Sequence, residues 1–326
     1  MKNNTLVKKI GTQKIIVAVI LLLLIIFFSI ANPSFRKYTT FLSLMGYTYY
    51  IAFMAIGVTF PLLTGGVDLS IGTGLVCYAL AGGYLVVYSG LPVWLGLLVT
   101  ILFGVVIGLF NGFVISVLDL PPFLATLCTC MITRGLGSIC SKGFGIPWPN
   151  GTDKGAWFRN LFKMHVGGRD IPIGIIWVIL AVIIMSVILN HTKTGRYILA
   201  IGSNKEAARL CGINVVRYQI TAYVISGFFA GLAGVAYAAS FASIYAGTGA
   251  GMELDAIGAA IIGGVSTTGG AGTVTGTILG VFIMSVLKTG LPYIGLQANW
   301  QQIIIGIVLI AAVLVDIVRS NKRKRA

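Results

Sequence analysis

Residues 69–118 read LSIGTGLVCYALAGGYLVVYSGLPVWLGLLVTILFGVVIGLFNGFVISVL, fifty residues between Asp68 and Asp119 without a single ion. Gly, Pro and Tyr interrupt the stretch; charge does not. A soluble domain cannot cover that much apolar surface. A bilayer can, because a helix of ~20 apolar residues crosses its hydrocarbon core. The rest of the chain agrees. It is 57% hydrophobic and 10% charged, against about 25% charged in a soluble domain. The fold class expected is therefore an all-α integral membrane protein.

Apolar runs and their breakers give about ten crossings. They lie near 15–34, 41–63, 69–88, 93–118, 121–140, 172–190, 218–243, 254–268, 273–291 and 300–318. The eighth is short and glycine-interrupted, so it reads as broken or re-entrant. Asn32-Pro33-Ser34, Leu91-Pro92, Pro121-Pro122 and Leu291-Pro292 are the turn signals between neighbours. The apolar stretch after Lys14 runs on to Ala31, longer than the ~7–15 residues of a secretory h-region. It reads as a retained first span.

The net charge of +15 could suggest nucleic acid, but its placement argues for topology instead. Lys2, Lys8, Lys9 and Lys14 precede the first run. Lys193, Arg196, Lys205, Arg209 and Arg217 crowd one loop, and Arg319 to Arg325 close the chain. Lys and Arg mark cytoplasmic segments and favour anionic lipid. The layout expected is a cytoplasmic basic N-terminus (1–14), one polytopic domain (15–318) and a cytoplasmic basic tail (319–326). Within it, 141–171 falls outside the cell and 191–217 inside. The outer loop is the exception to the charge rule, with Lys142, Lys154, Arg159, Lys163 and Arg169 against Asp153 and Asp170. Its Trp148, Trp157 and Phe158 read as interfacial anchors, with a docking surface as the other option.

Gly104-x-x-x-Gly108-x-x-x-Gly112 and Gly272-x-x-x-Gly276-x-x-x-Gly280 place small residues on one helix face, for close packing in lipid. Asp68 follows the second run within Thr64-Gly65-Gly66-Val67-Asp68-Leu69-Ser70-Ile71-Gly72. A central Asp costs on the order of 3 kcal/mol on insertion scales, so it needs a partner, water or a helix start. Two readings stay open, a helix cap that shapes the bundle and a direct substrate contact. Glu253 and Asp255 open another Gly-rich apolar stretch in the corresponding place of the second half. That implies two inverted halves, a common build for transporters.

No Gly-x-x-x-x-Gly-Lys-Ser/Thr loop occurs, so ATP hydrolysis by that motif is excluded. No nucleophile has a base beside it, so no catalytic residue is assigned and no cofactor is expected. His165 and His191 lie far apart, which speaks against a metal site. The five cysteines form no Cys-x-x-Cys pair and read as small hydrophobes. Arg134, Asp119 and Lys288 read as isolated ions near span ends. The neutral polar residues Asn111, Thr126, Thr129, Thr133, Ser226, Thr273, Thr275 and Thr277 suit either a hydroxyl-rich solute or hydrogen bonds between helices.

The loop after the sixth run contains Gly202-Ser203-Asn204-Lys205-Glu206-Ala207-Ala208-Arg209-Leu210-Cys211-Gly212-Ile213-Asn214. Ser203 or Asn204 can cap a short helix, Glu206 suits its first turn, and Gly212 can stop it. Physics alone divides evenly between a docking helix and a surface turn.

Three motifs, in order, carry a resemblance. They are Gly65-Gly66-Val67-Asp68-Leu69-Ser70-Ile71-Gly72, then Gly202-Ser203-Asn204 with Glu206-Ala207-Ala208-Arg209 and Gly212-Ile213-Asn214. The third is Glu253-Leu254-Asp255-Ala256-Ile257 with Gly263-Gly264-Val265-Ser266 and Gly269-Gly270-x-Gly272-Thr273. Together they resemble the membrane permease subunit of ribose, galactose and related ABC sugar importers, from about residue 40 to 318. The resemblance implies a fold like the vitamin B12-type importers and a second permease copy. It also implies a cytoplasmic ATP-binding subunit with two nucleotide-binding domains, and an extracytoplasmic sugar-binding protein. It makes Asn204, Glu206, Ala207, Ala208, Arg209 and Gly212 the ATPase-coupling positions. It gives Gly65, Gly66, Asp68, Ser70, Gly72, Glu253 and Asp255 structural or gating roles. Val67, Ile71 and Cys211 depart mildly from the pattern, and 141–171 matches it poorly. The function this implies is import of a monosaccharide by alternating access. An ion-coupled carrier acting alone, with Asp68 as ion ligand, is the alternative. A membrane scaffold or receptor without transport is the third reading.

Overall fold

The structure is a computed structural model that describes residues 12–325. In chain order its helices are α1 (Thr12–Ala31), α2 (Tyr38–Leu63), α3 (Ile71–Val87), α4 (Val93–Ser116), α5 (Pro122–Ser141) and α6 (Gly174–His191). There follow α7 (Lys193–Ser203), α8 (Lys205–Leu210), α9 (Val215–Ser240), α10 (Met252–Ile262), α11 (Val274–Tyr293) and α12 (Ala298–Arg325). Four short strands are β1 (Ile146–Pro147), β2 (Met164–Val166), β3 (Arg169–Ile171) and β4 (Ser243–Ile244). Each of the ten expected runs holds a helix. Eight helices are long and apolar enough to cross a membrane, which makes the chain a multi-pass membrane protein. The other two, α3 and α10, are shorter, because part of each run is spent as non-helical chain before or after the helix.

α2 is the central post. Its residues from Thr48 to Leu63 are all buried, and it packs on α9, α10 and α11. α1, α4, α5, α6 and α12 surround this centre and turn Leu22, Leu102, Met131, Ile183 and Ile307 outward. An apolar outer face is what a helix in lipid requires.

Close approach depends on glycine where the sequence places it. A Cβ added at Gly108 would lie 2.5 Å from the Tyr223 carbonyl oxygen of α9, and one at Gly112 would lie 2.8 Å from Ile220 Cα. Gly276 and Gly280 likewise lie against the backbone of Gly263 and Ala259. Lipid tails provide no hydrophobic force between helices, so this contact area is what binds α4 to α9. Gly108→Ala should lower stability by about 1–3 kcal/mol through overpacking, read as the melting temperature in detergent. Gly306→Ala, with nothing within 4 Å of the new carbon, should leave it unchanged.

The segment 141–171 is folded onto the bundle. β1 pairs with β4 through Ile146 and Ile244. Trp148 donates Nε1–H to the Ala79 carbonyl oxygen at 3.1 Å. The Arg159 guanidinium donates to the carbonyls of Trp148, Pro149, Ala239 and Phe241. Trp148 and Phe158 are therefore core residues, 1% and 0% exposed, and not interfacial anchors. Only Trp157 of the three is exposed. β2 and β3 form an exposed hairpin in which Asp170 takes Lys163 and His165. These hydrogen bonds, Lys163's first, hold its carboxyl below the usual carboxylate range.

Candidate functional site

Both interruptions follow from helix-end chemistry. The last carbonyls of a helix need outside partners. At the end of α2, Gly65 adopts φ +82°. Gly65 N–H then donates to the Leu62 carbonyl at 2.9 Å and Gly66 N–H to the Pro61 carbonyl at 3.0 Å. This is a glycine-stopped Schellman end. The Leu63 carbonyl is left over and accepts from Gly270 N–H at 2.9 Å. α10 ends the same way, with Gly264 at φ +98° and Val265 N–H donating to the Ala260 carbonyl.

The chain then runs without helix from Gly66 to Ser70, and Asp68 sits buried in that gap. Its Oδ1 accepts from Ser70 N–H at 3.0 Å and from Ser70 Oγ at 2.6 Å. Its Oδ2 accepts from Ser226 Oγ, about halfway along α9, at 2.7 Å. Asn111 of α4 donates to Ser70 Oγ, and Thr129 of α5 donates to Asn111 Oδ1 at 2.6 Å. Asp68 thus anchors a network that ties the start of α3 to α4, α5 and α9. Both carboxylate oxygens are occupied by protein donors, although none of them is an N–H from the first turn of α3, whose N-cap is Ser70. The neutral polar residues resolve similarly. Asn111, Thr129, Thr133 and Ser226 are at most 1% exposed. Thr133 and Thr277 pair with Thr73 and Thr59. These groups join helices, as one of the two sequence readings had it.

α3 and α10 begin against one another. A Cβ at Gly72 would strike the Glu253 carboxylate and lie 2.9 Å from the Gly249 carbonyl oxygen. Glu253 turns back onto its own helix start and accepts from Gly251 N–H at 3.1 Å. From this meeting point α3 runs toward Trp148, which lies beside Gly83. α10 runs the other way, to the glycine loop beside Gly202.

Asp255, one turn into α10, pairs with Lys288 of α11. Lys288 also donates to the Tyr50 hydroxyl of α2 and lies over its ring, 5.9 Å from the centroid. Lys288 is therefore not the isolated ion that its sequence neighbours suggested. The missed signal was a lone Lys in an apolar helix, which requires an acid somewhere. Asp316 is the other omission. It accepts from Thr267 N–H and Thr267 Oγ1, both at 2.9 Å, and so holds the glycine loop to α12.

At the opposite end from 141–171, residues 204–212 form a fully capped helix. Asn204 Oδ1 accepts from Ala207 N–H at 3.0 Å. Gly212, at φ +78°, ends α8, and Ile213 N–H donates to the Ala208 carbonyl. This decides for a helix over a plain turn. Asn204, Ala208 and Gly212 build it, with Ala208 packed on Ile201 and Val215. Glu206, Ala207 and Arg209 are exposed, and Arg209 lies 3.5 Å from Glu206. Leu210, which sequence reading did not single out, is 89% exposed. The two groups of site residues remain separate: Gly72 meets Glu253 inside the bundle, with the Asp68 network at the start of the same helix, while α8 presents exposed residues.

This arrangement is that of a polytopic helical membrane protein with two opposed, interrupted helices at its centre and a capped helix at one end. The profile of the family described as "Branched-chain amino acid transport system / permease component" matches residues 40–313, and the chain belongs to that family. Curated relatives agree over most of their length. The ribose import permease protein of Bacillus subtilis is 37% identical over 88% of each chain. The fructose import permease protein of Bifidobacterium longum is 35% identical over 82% of this chain and 79% of its own. The galactose/methyl galactoside import permease protein of Haemophilus influenzae is 33% identical over 90% of each. No solved structure matches.

Proposed function

We propose that this chain is the permease subunit of an ABC importer that moves a monosaccharide of the ribose, fructose or galactose kind into the cell. ATP hydrolysis belongs to a separate cytoplasmic subunit with two nucleotide-binding domains. The observation that carries the reading is α8, a short helix capped at both ends that presents Glu206, Ala207, Arg209 and an 89% exposed Leu210 to a partner. The caps hold the helix in shape, so its exposed apolar and charged side chains are presented together.

The reading sets the sides of the membrane. Residues 191–217 and both termini face the cytoplasm. The folded segment 141–171 faces outward, where a sugar-binding protein docks. Counting the interrupted spans, the chain crosses ten times in the manner of the vitamin B12-type importers, and it pairs with a second permease. α3 and α10 are the corresponding elements of two inverted halves, and their opposed directions support this. ATP binding draws the two docked α8 helices together and switches which side is open. The ion-coupled alternative has less support, since both oxygens of Asp68 are already taken by Ser70 and Ser226.

Leu210→Asp tests the docking directly. The side chain is exposed, so folding should persist. A central interface residue contributes about 2 kcal/mol or more, so ATPase retention should fall roughly 30-fold. Import should disappear with it. Normal import by the variant would remove α8 from the mechanism.

A further inference from the structure

The glycine motif Gly263 to Thr273 lies where the end of α7 meets the ends of α2 and α10. Three segments far apart in sequence converge there. A Cβ at Gly202, near the end of α7, would land on the Leu63 carbonyl and lie 2.5 Å from Gly270 N. One at Gly269 would lie 2.8 Å from Gly65 N and 2.9 Å from the Gly202 carbonyl oxygen. One at Gly270 would lie 2.5 Å from Ser203 Oγ. Gly269 and Gly270 hold φ of +87° and +73°, which glycine adopts without strain. The Gly270 N–H to Leu63 carbonyl bond closes the junction.

At Gly202 and Gly269 backbone meets backbone, so no side chain there can absorb a displacement. Close-packed contacts of this kind transmit strain. Each contact also leads somewhere specific. Asn204 both ends α7 and starts α8, so Gly202 is two residues from the docking helix. Leu63 leads through Gly65 and Gly66 to the Asp68 network and α3. Gly269 and Gly270 belong to the loop that follows α10. Thr267 in that loop is bonded to Asp316, which brings in α12.

We infer that residues 263–273, locked between Gly202 and Leu63, form the joint through which α8 moves both interrupted helices together, with Asp316 as its tether to α12. This rests on the reading of α8 as the ATPase contact. Gly202 and Thr267 are positioning residues: they touch neither sugar nor nucleotide, and they act through the elements they join.

The test is Gly202→Ala and Thr267→Val in the complex purified with the ATPase subunit that accompanies the tagged chain. Four quantities are read: melting temperature, ATPase retention, basal ATP hydrolysis, and uptake of labelled D-ribose, D-fructose or D-galactose. Residues along a coupling route change transmission by about 2- to 30-fold. Uptake should fall about tenfold in Gly202→Ala and less in Thr267→Val, while ATPase retention and basal hydrolysis stay at wild-type levels. Should Gly202→Ala fail to fold, Thr267→Val and Asp316→Asn carry the test, since their backbones are unaltered. Wild-type uptake in the folded variants overturns the inference. So does a parallel fall of melting temperature, hydrolysis and uptake, which is what mere packing produces. ATP-independent uptake by the unaltered chain is a different result: it overturns the reading of α8 itself.

Discussion

Lys288→Met should sharply reduce the amount of folded protein, and Asp255→Asn added to it should restore most of what is lost. Asp255 is 3% exposed, and Lys288 is the cation that pairs with it. Removing one partner of a buried pair typically costs 3–5 kcal/mol, because the remaining charge is left uncompensated. Removing both leaves neutral groups of similar shape and is often nearly neutral. The pair joins α10 to α11, and Tyr50 extends it to α2 through the Lys288 ammonium. The measurement is the melting temperature of wild type, both single variants and the double variant in detergent. A double variant as unstable as Lys288→Met would show that the pair is not the cause.

Asp68→Ala should be the most damaging change in the first half of the chain. It removes an acceptor that serves Ser70 N–H, Ser70 Oγ and Ser226 Oγ at once. Each buried donor left without a partner costs about 1–3 kcal/mol, and Asp68 is 1% exposed. Ser70 Oγ also accepts from Asn111, so the loss spreads to α4 and α5. Asp68→Asn keeps the shape and one strong acceptor, and it should cost clearly less. If Asp68 were instead an ion ligand, the order would differ. Asp68→Asn would then fold normally and lose all transport, with no change in melting temperature. Comparing melting temperature and uptake in the two variants separates the cases.

Much of the fold was legible in the sequence because membranes impose length. All ten apolar runs hold a helix, and the break at Thr64-Gly65-Gly66 could be read from its glycines. The caps of α8 were legible for the same local reason, since Asn204 and Gly212 act within one turn. Pairings that depend on helix register were not. Lys288 and Asp255 are 33 residues apart, and nothing near either names the other. Trp148 and Phe158 were misread as anchors for a related cause. A Trp beside a membrane span is ordinarily an anchor, but Arg159 gathers four backbone carbonyls there and folds Trp148 and Phe158 inward. Leu210 was hidden by its own plainness, because exposure of a leucine is a tertiary fact.

The most direct measurement places the purified chain in sealed vesicles, with and without its ATPase subunit, and follows labelled sugar against a rising gradient. With the binding protein outside and ATP on the α8 side, accumulation should require the ATPase and stop when ATP is withheld. Accumulation by the chain alone, driven by an ion gradient, would contradict the account.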